Sequence, residues 1–145
     1  MLEYIWLSLT AWFMGFFPLF EIYLAIPGAM TMGLDVVSAI IWSSLGNFIA
    51  IPLIVVFYNQ LSKIKRLNKY FIKLSKSKFS HRISRNGFTF ILFATPIIGA
   101  WAVAVIGKFV GMEKGKLLVS SAISIGLYGV ILGVLTEFGI NTFFS

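Results

Sequence analysis

Phe17-Pro18-Leu19-Phe20-Glu21-Ile22-Tyr23-Leu24-Ala25-Ile26-Pro27-Gly28 sets one carboxylate between two prolines inside an apolar run. Both features are unfavourable in hydrocarbon. Proline removes a backbone donor and disturbs the preceding helical turn. A carboxylate within a membrane segment is by default a functional-site hypothesis. Read as one helix, Pro18, Glu21, Ala25 and Gly28 would share a face. That face is small apart from the glutamate, so it suits a closely packed neighbour or a narrow polar cavity.

Working outward, residues 4–33 are almost continuously apolar, interrupted at Gly15, Pro18, Pro27, Gly28 and Gly33. The run fits one long kinked span or two shorter helices turning near Phe17-Pro18. A piece of ~14 residues reaches only ~21 Å, short of a hydrocarbon core of ~30 Å. Two such pieces would form a re-entrant hairpin, and such irregular backbone is tolerated only inside protein or along a cavity. Residues 36–58 predict a full span with Ser43, Asn47 and Ala50 as a stripe and Pro52 as a kink. Ser43 and Asn47 fit hydrogen bonds between helices or the lining of a substrate path. Residues 87–110 are a second broken run, containing Phe93-Ala94-Thr95-Pro96-Ile97-Ile98-Gly99-Ala100-Trp101. Residues 117–138 predict the last span, with Ser120, Ser124 and Tyr128 on one side and Gly126, Gly129 and Gly133 available for close packing.

The composition agrees. Of 145 residues, 59% are hydrophobic and 12% charged, and the mean hydropathy is +0.93. A soluble domain carries about twice that charge. The expectation is an all-α integral membrane protein with one membrane domain over 1–145. Glu3 precedes the first run where a signal peptide would have a basic region, so cleavage is not expected. The absence of cysteine excludes disulfides, thiolate catalysis and cysteine-based metal sites.

Net charge is +7, and nine of the twelve Lys and Arg residues lie between Lys63 and Arg85. The positive-inside rule makes this segment cytoplasmic. Apolar chain on both sides argues against nucleic acid as its partner. Within residues 61–78, Leu61, Ile64, Leu67, Phe71 and Leu74 form an apolar stripe among cations, the pattern of a helix on a membrane surface attracted to anionic lipid. His81 reads as a solvated residue.

A shift of 78 residues superimposes Pro18 on Pro96, Tyr23 on Trp101, Gly33 on Gly111, Asp35 on Glu113 and Ser43 on Ser121, and puts Gly99 in the place of Glu21. Each half then reads as broken run, Gly-x-acid loop, full span. The loop with Lys108, Lys114 and Lys116 is basic and so also cytoplasmic. The second broken run must therefore enter and leave on the inner side, and the first, by the repeat, on the outer side. The predicted architecture is an inverted repeat of two halves (1–60 and 87–145). Each half is a re-entrant helical hairpin followed by a transmembrane helix. A basic amphipathic cytoplasmic linker helix (61–86) joins them. Both termini lie outside the cell membrane. Inverted repeats with broken elements near the midplane recur in transporters.

Pro18-Leu19-Phe20-Glu21-Ile22-Tyr23-Leu24-Ala25-Ile26-Pro27-Gly28 resembles the Pro-x-x-Glu-x-Arg-x-Ala-Ile-Pro motif of the small multidrug export protein family. Arg85-Asn86-Gly87, with Pro96-Ile97-Ile98-Gly99-Ala100-Trp101, resembles that family's Arg-x-Gly and Pro-x-x-Gly-Ala-Trp signature. The family is similar in design to the DedA superfamily, whose members have paired re-entrant hairpins and are associated with lipid and polyprenyl-phosphate translocation and with proton-linked drug tolerance. Tyr23 stands where the family has arginine, so a charge pair with Glu21 is not available at that position. Arg85 is an alternative base.

Three functions follow as expectations. The first is a transporter for proton-linked export of small molecules through the meeting point of the two hairpins. Its substrate- or proton-binding candidates are Glu21, Pro18, Tyr23, Pro27, Ser43, Asn47, Pro96, Gly99 and Trp101. The second is a translocase for phosphate-bearing lipid, with Arg82 and Arg85 as the bidentate phosphate donors. The third is a membrane scaffold. An enzyme is not expected, since no histidine cluster, nucleophile-base pair or phosphate loop is present. No cofactor or metal is expected. The partners are membrane lipids, a proton and a small-molecule or lipid-phosphate substrate. A homodimer is compatible with this design but not required by its symmetry.

Overall fold

Both broken runs resolve into pairs of short helices. In the computed structural model, which describes residues 1–143, the first pair is α1 (Leu2–Phe16) and α2 (Glu21–Thr31). They are joined by Phe17-Pro18-Leu19-Phe20 and pack against each other. At 1.5 Å per residue they are about 22 and 17 Å long, and neither would cross a ~30 Å core. The two-helix reading of this run is therefore the observed one. Pro18 lies in the turn, outside either helix, so only Glu21, Ala25 and Gly28 share the helical face expected for all four.

The chain continues as α3 (Val36–Leu61), α4 (Lys65–Ser75), α5 (Lys78–Ile98), α6 (Ala100–Phe109) and α7 (Lys114–Phe143). No strand occurs among the described residues. α3 and α7 have 26 and 30 residues, and both are long and apolar enough to cross a membrane. The basic segment is not one helix. α4 ends at Ser75, and the cations from Lys78 onward belong to α5. The backbone of α5 leaves helical torsions at Asn86 (φ −126°, ψ 32°), next to the start of the second apolar run.

The chain forms two compact units, Met1–Phe48 with the chain from Ile125 onward, and Ile49–Ser124. In the first unit α1 lies directly on α3. A Cβ on Gly15 would run into the carbonyl oxygen of Ser43, and one on Gly46 into that of Trp12. Small residues at these two points allow backbone-to-backbone approach, the usual means of helix association where water supplies no driving force. Ala11, Ala29, Leu34 and Ala39 form the adjoining core, flanked by Leu7, Met30 and Trp42. The Tyr4 hydroxyl lies 3.0 Å from Ser38 Oγ and accepts from Trp42 Nε1 at 3.4 Å. In the second unit α6 is buried from Ala102 to Gly107, and α4 and α5 pack against it.

The second helix of each pair ends in the same way. After α2, Gly33 (φ 104°) lets Leu34 N donate to Ala29 O at 3.0 Å and Gly33 N to Met30 O at 3.0 Å. After α6, Gly111 (φ 73°) lets Met112 N donate to Gly107 O at 2.9 Å and its own N to Lys108 O at 3.3 Å. This is the Schellman arrangement, for which glycine is favoured because only it adopts positive φ without strain. The acid two residues on then starts the next helix. Asp35 Oδ1 accepts from Ser38 N at 2.9 Å and caps α3, while Glu113 pairs with Lys116 at 3.2 Å in the first turn of α7. The hydrogen bonds from Ser38 hold the Asp35 carboxyl below its usual range. Its capping contribution is therefore present above the ordinary carboxylate pKa of about 3.9 and is lost as pH falls through the lower folded value.

The close approach of α1 and α3 has a direct test. Gly46→Ala pushes a methyl against the fixed Trp12 carbonyl and should lower stability by about 1–3 kcal/mol. Gly126→Ala adds its methyl where nothing lies within 4 Å and should leave stability unchanged or raised. Thermal melting in detergent distinguishes the two.

Candidate functional site

The break in each apolar run leaves backbone carbonyls without helical donors, and those carbonyls define the site. Pro96 has no N–H, so it cannot donate to the carbonyl of Leu92, four residues earlier. Ser124 of α7 donates to that carbonyl instead, at 2.6 Å. Thr95 Oγ1 donates to the neighbouring Ile91 carbonyl at 2.7 Å. In the first pair α1 stops at Phe16, ahead of Pro18, and the carbonyl of Gly15 is one of the orphan acceptors of its last turn. Asn47 Nδ2, fully inside the first unit, donates to it at 3.0 Å. In each case a polar side chain on the long helix that follows repairs the break in the first short helix. The Asn47 amide thereby links α1 to α3.

The backbone immediately after each break is also matched. Gly99, between α5 and α6, has φ 91° and is buried. Glu21, 78 residues earlier and the first residue of α2, has φ 47°, and among the described residues it is the non-glycine with positive φ. Such a conformation costs a residue with a Cβ about 1–2 kcal/mol. Backbone strain of this kind gathers at functional sites, where the surrounding structure holds it. Glu21 is half-buried at this strained position. In the second pair a glycine stands at the corresponding place, also with positive φ, so the pattern itself does not call for a carboxylate there.

The remaining candidates fall around these two turns. Pro18 is exposed in the first turn, Tyr23 is 42% exposed on α2, and Pro27 is half-buried inside α2. Ser43 is buried on α3 beside Gly15, through its backbone carbonyl. In the second unit Pro96 is buried at the end of α5 and Trp101 half-buried at the start of α6. Arg82 and Arg85 are exposed on α5, ahead of the kink at Asn86.

Sequence reasoning missed Ser124 and Gly15 as parts of this arrangement. Ser124 could have been found by asking which side chain replaces the donor that Pro96 lacks. Gly15 carries no side-chain signal, because its role is a carbonyl and a close approach. Among the described residues no group of three or more His, Cys, Asp or Glu could hold a metal ion.

The model of a protein family described as "Putative small multi-drug export protein" matches residues 21–131. The chain belongs to that family. The match begins at Glu21 and runs from α2 into α7, so it includes both glycine turns, α3 and the second helix pair. The family's description names export, a transport role and not an enzymatic class. With α3 and α7 it makes this small multidrug export family member a membrane protein. No curated protein matches the chain, and no solved structure does.

The repair of the breaks is testable within each unit. Asn47→Ala should cost about 1–3 kcal/mol by leaving the Gly15 carbonyl buried without a donor. Ser124→Ala should cost less, about 0.6–2 kcal/mol, the range for a single hydrogen bond between membrane helices. Chemical denaturation in mixed micelles would measure both.

Proposed function

We propose that the protein is a proton-linked exporter of small molecules in which Glu21 carries the proton, and that its halves form an inverted repeat of re-entrant hairpins. The observation that carries the reading is the left-handed Glu21 at the break of the first hairpin, where the equivalent position of the second is Gly99. A strained carboxylate at a helix break inside an apolar run is retained against both the cost of its charge and the cost of its backbone. A proton-binding role accounts for both.

Re-entrancy is supported by the contrast between the two ends of each hairpin. The turn Phe17-Pro18-Leu19-Phe20 and the last residues of α5, Pro96-Ile97-Ile98, carry no polar side chain, and Leu19 and Ile97 are 77% and 76% exposed. Such tips suit hydrocarbon and not water. The other ends, Gly33-Leu34-Asp35 and Gly111-Met112-Glu113, are turns with an acid. A hairpin that enters by its polar end and turns at its apolar tip returns to the side it came from. Charge then places the segment from Lys63 to Arg85 in the cytoplasm, the second hairpin entering from that side and the first from the outside. Matching turns at an offset of 78 residues, and similar repairs at an offset of 77, support two halves over 1–60 and 87–145. Pro18, Tyr23, Pro27, Pro96 and Trp101 shape the two breaks, and Tyr23 makes this exporter work without a family arginine beside its acid.

In reconstituted vesicles, Glu21→Gln should abolish the dependence of export on a proton gradient while leaving the fold intact. Glu21→Gly should abolish it equally but raise stability by about 1 kcal/mol, because it removes the strain. Unchanged proton-driven export in either variant would overturn the reading. A fall in stability with Glu21→Gly would mark the side chain as structural instead. Topology has a separate check, since the chain has no cysteine of its own: a cysteine introduced at Glu3 should react from outside and one at Lys69 from the cytoplasmic side.

A further inference from the structure

The cations of α4 are arranged in a way that transport by Glu21 does not use. Phe71 is 1% exposed and stacks on Tyr58 of α3 at 5.3 Å, and α4 packs against α6. Leu67 and Leu74, on the same side of the helix, are half-buried. The part of the apolar stripe that lies on α4, Leu67, Phe71 and Leu74, is thus turned toward protein, while Ile64 just ahead of the helix is 51% exposed. At 100° per residue, Lys65, Arg66, Lys69, Lys73 and Lys76 fan over the opposite side, and all five are exposed. Ile72 (46% exposed) borders the fan on one side and Tyr70 (39%) on the other. Between Asp35 and Glu113 the sequence holds no carboxylate at all, so no acid of this segment neutralises the patch.

We infer that this outward face of α4 is a docking surface for anionic lipid headgroups. Two features select a lipid leaflet over a soluble polyanion. The helix is short-tethered at both ends. Three residues separate it from the end of α3, a reach of at most about 14 Å, and two residues separate it from α5. Hydrogen-bonded turns hold both links, with Ser62 N donating to Tyr58 O at 2.9 Å and Ser77 N to Leu74 O at 3.0 Å. α4 therefore stays at the depth where the α3 span ends. The rim of the fan is also apolar and aromatic, as suits the boundary between headgroups and acyl chains. Because Phe71 ties the same helix to Tyr58, and α4 packs on α6, lipid held on the cationic face secures the short intramembrane helix α6 from its inner side.

The test uses the full chain in nanodiscs, with a fluorophore on Asn68→Cys and headgroup-quencher-labelled lipid at equal mole fraction. Quenching by phosphatidylglycerol should exceed that by phosphatidylcholine, and high salt should reduce the excess. Replacing Lys65, Arg66, Lys69, Lys73 and Lys76 by Gln should remove it, at about fivefold in relative association per cation. Replacing the four lysines by Arg should retain it, as should Lys114→Gln with Lys116→Gln. Equal quenching by the two lipids overturns the inference, as does an excess that survives the five Gln substitutions. Salt-sensitive binding of heparin to the intact surface, with no lipid preference, would also overturn it and assign the face to a soluble polyanion. Unchanged melting of the Gln variant in phosphatidylcholine shows that loss of the preference is not unfolding.

Discussion

A backbone carbonyl in hydrocarbon must have a donor, and the rest of this structure is arranged around two places where the helix cannot supply one. Leu92 loses its donor to Pro96, and Gly15 lies in the last turn of a helix that stops ahead of Pro18. In water such groups would be solvated at little cost. Here Ser124 and Asn47 replace the missing donors from the long helices. The same contact brings α1 onto α3, close enough that Gly15 and Gly46 exclude any side chain. The break, its repair and the close packing are therefore one feature. Without Asn47 and Ser124 the carbonyls of Gly15 and Leu92 would lose these donors.

On this frame the two hairpins differ in one decisive respect. Both return after the break through a residue with positive φ, and in the second hairpin that residue is Gly99, which adopts it freely. In the first it is Glu21. The asymmetry sets a carboxylate at the break of the first pair and none at that of the second.

α4 shows how a sequence pattern can be right about a helix and misleading about its surroundings. Its apolar stripe is real, but Phe71 spends it on Tyr58, with α6 packed alongside. What is left facing outward is a fan of five cations rimmed by Tyr70 and Ile72. A segment read from the sequence as a linker helix on the membrane surface is thereby fastened to α6, the second helix of the later pair.

The amino-acid order alone determined the class of protein, the two full spans, the two broken runs, the Gly-x-acid turns and the concentration of positive charge. All of these are local: hydropathy, proline and glycine act on the chain within a few residues of where they stand. It also pointed to Glu21, because a carboxylate between two prolines is anomalous without any partner being known. Tertiary structure alone decided that Pro18 lies in a turn after a helix instead of kinking one, that Asn47 holds Gly15, that Ser124 replaces the donor Pro96 lacks, and that Glu21 takes a positive φ. Those are facts about which surfaces meet. A serine or asparagine on an apolar helix has the same local signal whether it lines a path or satisfies a distant carbonyl, and only the packed neighbour supplies the difference.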